Sequence, residues 1–255
     1  MKIGVFDSGV GGMTVLSELR KEFGSQKFIY LGDTAHVPYG TKSAAQVVKL
    51  SVDCASTLRE RGVEALVVAC NTASSLAITE IQQACGPAIR VVGMVDPGVK
   101  AAAAAHKKLG DPAAPVLVLA TRATVKSGAY GSRLRGLGLK VIEQPCPLLV
   151  PMIEEGWTDH PVLHQTIEEY LRLHRLSHSR GVALLGCTHY PWIQSAFEKA
   201  LPGWVVVNSA SAVAEHLKTE GGLAGSVGLG EVEWIFTDPD AIPAFVSKEL
   251  NRGKT

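Results

Sequence analysis

Short runs of apolar residues alternate with amphipathic segments along this chain, and no other feature constrains its fold as strongly. The first run, KIGVFD, leads through the turn DSGVGG into TVLSELRKEF, where Val15, Leu16, Leu19 and Phe23 recur at helical spacing. The same order returns at FIYLGD and at ALVVAC, which is followed by NTASSLAITEIQQAC. Continuous apolar strands separated by helices predict an α/β fold of mostly parallel sheets flanked by helices.

The second half of the chain resembles the first. After Pro97 a helix is predicted at VKAAAAAHKKLG, and the strands PVLVLAT, LKVIEQP and VALLGC follow with helical segments between them. Asp7 precedes Cys70 by 63 residues, and Thr121, at a comparable strand end, precedes Cys187 by 66. Each cysteine closes an apolar strand and is expected to open a helix. The pattern indicates a weak internal duplication.

The duplication predicts two similar, pseudo-twofold related lobes with the active site in the cleft between them and one thiol from each. We expect a first lobe at 1–97 and 208–255 that carries Cys70, and a second at 98–207 that carries Cys187. The tail is predicted to supply strands at WVVVN and VEWIF, each followed by a helix. A chain of 255 residues also fits a single large α/β barrel.

Composition excludes several classes of partner. The formal net charge is +1 and the charged residues are scattered, which argues against a nucleic-acid partner. The first apolar run is too short for a signal peptide or a membrane span, so we expect no membrane partner and a cytoplasmic location.

Five cysteines without a C-x-x-C pair are expected to be free thiols, with no metal. The turn GVGG lacks dinucleotide spacing and no Walker lysine follows it, so we expect no cofactor.

Two matched thiols suit the inversion of a stereocentre, which needs a base on one face of a carbon and an acid on the other. Free cysteine titrates at about 8.5, and a helix N-terminus or a nearby cation lowers that pKa. Backbone N–H groups and hydroxyls next to Cys70 and Cys187 can hold carboxylates. Cys54, Cys85 and Cys146 are interpreted as small buried apolar residues.

The sequence also resembles the glutamate racemases of the aspartate/glutamate racemase superfamily. The resemblance lies in FDSGVGGMTVL, YLGDTAHVPYGTKS, VVACNTASS, VVGMVDPG, ATVKSGAY, CPLLVPMIEEG and LLGCTHYP, in this order. It implies a racemase that acts on glutamate without pyridoxal phosphate and supplies D-glutamate for peptidoglycan. A homodimer is left open.

The resemblance also implies roles for individual residues. Cys70 and Cys187 would exchange protons on opposite faces of Cα, with Cys187 serving L-glutamate and Cys70 serving D-glutamate. Asp7 would assist Cys70, and Glu154 and His189 would assist Cys187. The residues expected to bind substrate are Asp7, Ser8, Tyr39, Gly40, Asn71, Thr72, Thr121, Thr124, Thr188 and His189.

Other interpretations compete with these. Taken alone, Asp7 caps a helix or shapes a turn, His189 is a buried core histidine, and Glu154 lies on a solvated face. The chain could also racemise another small acid such as aspartate, bind a ligand without turnover, or use its thiols in redox chemistry. Asn208 and Trp192 depart from the pattern of the family.

Overall fold

The structure, a computed structural model, describes residues 1–220, 226, 228 and 230–246. Its strands are β1 Lys2–Asp7, β2 Lys27–Gly32, β3 Ala65–Val68, β4 Arg90–Gly93, β5 Val116–Ala120, β6 Val141–Pro145, β7 Gly181–Gly186, β8 Trp204–Asn208 and β9 Val232–Phe236. Its α-helices are α1 Met13–Glu22, α2 Ala44–Glu60, α3 Asn71–Leu76, α4 Ile78–Cys85, α5 Val95–Leu109, α6 Arg122–Ser127, α7 Ala129–Gly136, α8 Leu149–Glu154, α9 Pro161–Ser177, α10 Gln194–Ala200 and α11 Ser209–Thr219.

The strands form two separate parallel sheets. The first has the order β4-β3-β1-β2-β9 and the second the order β6-β5-β7-β8. Strands β2-β1-β3-β4 of the first sheet therefore follow the same order as β6-β5-β7-β8 of the second, with β9 added at one edge. In both sheets the strand before a cysteine lies beside the first strand of its half, since β3 pairs with β1 and β7 with β5. The predicted α/β fold of two similar lobes is confirmed.

Each sheet is buried on both faces, which explains why its strands read as continuous apolar runs. In β5, Leu117 and Leu119 pack on one face with α8, α9 and α10, whereas Val116 and Val118 pack on the other with α5 and α7. The first sheet is covered by α1 and α11 on one face and by α2, α3 and α4 on the other. Ligands of such sheets bind beyond the carboxyl ends of the strands, where both cysteines lie.

Several helices differ from their predicted extents. Helix α5 begins at Val95, so the predicted lobe boundary at 97/98 falls inside a helix. The segment after Cys70 is two helices divided at Ala77, and the segment after Thr121 is divided at Gly128, whose φ of 65° is left-handed. A left-handed residue ends a helix because it turns the chain away from the helical path.

The tail contributes to both lobes. Strand β8 pairs with β7 in the second sheet, whereas α11 packs on the face of the first sheet that α1 covers. The predicted last helix begins at 244–246, and the rest of that segment lies outside the described residues. None of the helices within the described ranges has the length and apolar character needed to cross a membrane.

Candidate active site

A cleft that holds about 650 Å³ of empty space, part of it open to solvent, lies between the two lobes. Ten of the thirteen predicted site residues line it: Ser8, Tyr39, Gly40, Cys70, Asn71, Thr72, Thr121, Cys187, Thr188 and His189. The other three lie directly behind the lining, where Asp7 contacts Thr188, Glu154 contacts His189, and Thr124 contacts Thr72. Each lobe thus brings one thiol to a common space.

Cys70 lies after β3 and caps the N-terminus of α3. Its Sγ accepts a hydrogen bond from the Ala73 N–H at 3.4 Å, and its thiol donates to Ser8 Oγ, also at 3.4 Å. Burial, together with the nearby charge of Asp7, nevertheless raises the pKa of Cys70 to about 12. The expectation that the helix N-terminus lowers this pKa is therefore wrong, because desolvation of a buried thiolate outweighs the hydrogen bonds that stabilise it.

Cys187 lies at the carboxyl end of β7 but does not open an α-helix, contrary to the expectation. The next element is a short 3-10 turn, Tyr190–Ile193, and α10 begins only at Gln194. Pro191 lies at the start of that turn and has no N–H to donate into a helix. The Cys187 thiol lies next to the turn and close to His189.

His189 is a buried imidazole between Cys187 and Glu154. Its Nε2 lies 2.9 Å from Glu154 Oε1, and its side chain is 5% exposed. Burial lowers the pKa of His189, but the hydrogen bonds and charges of Cys187 and Glu154 outweigh burial and raise it to about 10. At neutral pH the ring is thus an imidazolium, which places a positive charge beside the Cys187 thiol.

The glycine-rich turn after β1 lies against the Cys187 loop of the second lobe. A Cβ on Gly11 would lie 2.4 Å from both His189 Nδ1 and Thr188 Oγ1, so only glycine permits this approach. Asp7 is fully buried below the turn, where its Oδ2 accepts from the Gly9 N–H at 3.0 Å and its Oδ1 from the Thr188 hydroxyl at 3.3 Å. Burial raises the pKa of Asp7, while His189 and these hydrogen bonds partly oppose the rise.

Three threonine hydroxyls meet across the cleft. Thr72 Oγ1 lies 3.0 Å from Thr121 Oγ1 and 3.2 Å from Thr124 Oγ1, and the last two are 3.0 Å apart. Thr121 also caps α6 by accepting from the Thr124 N–H. A hydroxyl can redirect its proton, so this cluster can turn donors toward a carboxylate in the cavity.

The P-Y-G loop closes another side of the cavity and is held by Asp33, which was not predicted as a site residue. The Tyr39 hydroxyl donates to Asp33 Oδ2 at 2.7 Å, which directs it away from the cavity. Asp33 Oδ1 lies 2.8 Å from His36 Nδ1 and accepts from the Thr237 hydroxyl at 2.8 Å. The buried carboxylate of Asp33 therefore ties the loop to the segment after β9. Asp33 directly follows β2 in the segment GDTAHVPYG, and a polar residue at the end of a buried strand is the sequence signal that could have identified it.

Eight further residues of the cavity wall were not predicted from the sequence: Val37, Pro38, Thr41, Arg122, Cys146, Pro147, Val150 and Pro151. Five of them are proline or valine, which give one side of the cavity an apolar surface. No group of three or more His, Cys, Asp or Glu residues in the described part of the chain is arranged to hold a metal ion.

Comparisons with known proteins identify similar chains. The Asp/Glu/Hydantoin racemase family model matches residues 13–217. A glutamate racemase of Aquifex aeolicus is 40% identical over 240 residues, which is 93% of this chain and 89% of that protein. The crystal structure of the Francisella tularensis glutamate racemase in complex with D-glutamate has a TM-score of 0.83 and 32% identity, covering 98% of this chain and 93% of that one. The Thermus thermophilus glutamate racemase in complex with β-chloro-D-alanine has a TM-score of 0.81 and 38% identity, covering 97% and 92%.

Proposed function

The chain belongs to the Asp/Glu/Hydantoin racemase family, and from that premise we propose that it interconverts L-glutamate and D-glutamate by two-thiol proton transfer at Cα, without a cofactor. The observation that carries the proposal is that Cys70 and Cys187 line one cavity from opposite lobes. A substrate bound between them presents one face of its Cα to each thiol. This arrangement suits inversion, because base and acid exchange roles when the reaction runs backwards.

In the direction that starts from L-glutamate, Cys187 acts as the base. The His189 imidazolium, held by Glu154, stabilises the Cys187 thiolate until it removes the α-proton. The electron pair of the C–H bond remains on Cα and is delocalised into the α-carboxylate. The Cys70 thiol, which is protonated at neutral pH because its pKa is about 12, then donates its proton to the opposite face.

In the direction that starts from D-glutamate, the Cys70 thiolate is the base. Forming it requires removal of a proton from a buried thiol beside Asp7, which is unfavourable. The same environment makes the Cys70 thiolate a stronger base, and a stronger base removes the weakly acidic α-proton more readily. Asp7 would accept or return that proton, and its raised pKa brings it nearer to the range in which a carboxyl can do so.

The two carboxylates of glutamate would be held mainly by neutral groups. Candidate donors are the hydroxyls and amides of Ser8, Asn71, Thr72, Thr121 and Thr188, with Thr124 behind them and the Tyr39–Gly40 backbone next to Thr121. Fixed dipoles of this kind stabilise the negative charge that develops at Cα without having to reorganise.

The physiological part of the proposal rests on family resemblance. The enzyme would act in the cytoplasm and supply D-glutamate for peptidoglycan synthesis and so for cell-wall biogenesis and cell shape. A homodimer is the assembly we propose, with no nucleic acid and no membrane as partner.

Racemisation of each glutamate enantiomer by purified protein in D2O tests the function. Circular dichroism is expected to decay to zero without pyridoxal phosphate and in the presence of EDTA, while NMR shows deuterium replacing the α-proton. Aspartate treated in the same way is expected to keep its ellipticity. Cys85→Ser, which changes a cysteine outside the cavity, serves as the matched control for the two cavity thiols. Unchanged ellipticity of glutamate would overturn the proposal.

A further inference from the structure

Asn71 carries a buried polar atom that the protein leaves without a partner. The residue lines the cavity next to Cys70 and is only 2% exposed. Its Nδ2 has no hydrogen-bond partner among the described residues. Burying an unpaired amide N–H costs free energy, so such a group at a binding site is suited to a ligand that accepts hydrogen bonds.

The other end of the same amide is held by the second lobe. The Tyr130 hydroxyl donates to Asn71 Oδ1 at 2.5 Å, a contact between α7 and the start of α3. This separation is typical of O–H···O bonds, which are shorter than N–H···O bonds, and it favours Oδ1 as the amide atom that faces the tyrosine. Because Oδ1 faces Tyr130, Nδ2 of the same amide points away from Tyr130.

Tyr130 is rigid enough to act as a fixed donor. Its ring is fully buried, and Gly98 of α5 lies so close that an added Cβ would come within 3.0 Å of Cε1. Burial raises the pKa of Tyr130, with Cys187 and Asp96 adding to the rise, so its hydroxyl keeps its proton at any working pH. The Met94 carbonyl, at 3.3 Å, is the more distant of its two acceptors.

We propose that Tyr130 is a positioning residue that orients the Asn71 amide so that Nδ2 donates a hydrogen bond to a carboxylate of the substrate. The inference deepens the proposed function and rests on it. Because Tyr130 belongs to the second lobe and Asn71 to the first, the contact also requires the two lobes to be together when the amide is oriented.

Tyr130→Phe tests the inference because it removes the hydroxyl and keeps the ring. Without the hydroxyl the amide loses its fixed orientation, and KM for both glutamate enantiomers is expected to rise about fivefold, the usual effect of one hydrogen bond, while kcat changes less than twofold. Tyr170→Phe is the matched control, since its hydroxyl accepts from the Leu148 N–H outside the cavity. That control is expected to leave KM unchanged.

A double-mutant cycle separates positioning from a general structural effect. If Tyr130 acts through the amide, Tyr130→Phe changes KM less than twofold in an Asn71→Ala background. An unchanged KM in the native background, or the same fivefold rise in both backgrounds, would overturn the inference. A native chain that does not racemise glutamate would instead overturn the proposed function, so the two failures are distinguishable.

Asn71→Asp tests the orientation of the amide without any change at Tyr130. Tyr130 can still donate to one carboxylate oxygen, which leaves the other where Nδ2 now lies, facing a negatively charged substrate. KM is expected to rise further in Asn71→Asp than in Asn71→Ala. A lower KM in Asn71→Asp than in Asn71→Ala would mean that this side of Asn71 faces the substrate ammonium, and would refute the proposed orientation.

Discussion

Glu154→Gln removes one negative charge from the Glu154–His189 pair and keeps the shape and a hydrogen-bond acceptor at the position. Glu154 Oε1 is 2.9 Å from His189 Nε2, and the two side chains are 24% and 5% exposed. A charged partner this close shifts a pKa by about one to three units. Because Cys187 contributes to the same rise, we assign about one to two units to Glu154, which is about 1.4 to 2.7 kcal/mol.

The substitution is therefore expected to lower the pKa of His189 from about 10 to about 8 to 9. Activity that depends on the imidazolium falls as pH rises through this pKa. The alkaline limb of the kcat/KM profile for L-glutamate is therefore expected to move to lower pH by as much as the pKa of His189 falls. For a shift of about 1.5 units, the imidazolium population at pH 9.5 falls about eightfold.

The assay is a pH profile of kcat/KM for L-glutamate between pH 7 and pH 10.5, measured by circular dichroism. The ammonium of the substrate titrates identically with every variant, so the difference between the profiles isolates the protein group. Glu155→Gln is the matched control, because Glu155 is the exposed neighbouring carboxylate. Superimposable alkaline limbs for Glu154→Gln and the native protein would refute the role of the pair.

The same pair has a predictable effect on stability. The folded pKa of His189, about 10, lies above its ordinary 6.5. Protonation of His189 therefore contributes to the free energy of unfolding fully below pH 6.5, and this contribution is lost as pH rises through 10. In Glu154→Gln this loss is expected to be complete at a lower pH, which thermal unfolding across the pH range would show.

Three further changes have expected outcomes. Asp7→Asn removes a charge that raises the pKa of Cys70, so alkylation of that thiol, followed by mass spectrometry, is expected to reach its maximum at lower pH; an unshifted alkylation profile would contradict the argument. Gly11→Ala places a Cβ 2.4 Å from His189 Nδ1 and is expected to lower kcat/KM about 100-fold in a folded protein, whereas a loss below threefold would show that the contact is unimportant. Leu185→Ala empties a fully buried position in β7 and is expected to cost about 2 to 5 kcal/mol in urea unfolding, and a cost below 1 kcal/mol would contradict the packing described.

The strands were predictable from the sequence because burial on both faces leaves an unbroken apolar run. KIGVFD is β1, and the VALLG part of the predicted strand VALLGC lies in β7, which begins one residue earlier at Gly181. The similarity of the two halves of the chain predicted two similar lobes, although not their strand order. Helix limits were harder to predict, since the break at Gly128 depends on a left-handed backbone conformation that an isolated glycine does not reveal.

The positions of the two thiols were predictable, but their electrostatics were not. Cys70 was expected to have a lowered pKa because it caps a helix, yet its burial beside Asp7 dominates. Burial of that depth depends on tertiary packing, which no local sequence pattern describes. The contacts of Asp33 and Tyr130 were not predicted for the same reason. Asp33 bonds to Thr237, which is distant in sequence, and Tyr130 bonds to Asn71 of the other lobe.

Elimination from β-chloroglutamate by Cys70→Ser and Cys187→Ser tests the two-thiol mechanism most directly. Removal of the α-proton by the remaining thiol lets chloride leave from Cβ, so turnover needs one base rather than two. The product hydrolyses to 2-oxoglutarate and ammonia, which can be measured for each enantiomer. Cys70→Ser, which keeps Cys187, is expected to process the L-isomer, and Cys187→Ser, which keeps Cys70, the D-isomer, while neither racemises glutamate. A shared preference of both variants for one enantiomer, or full racemisation by either, would contradict the mechanism.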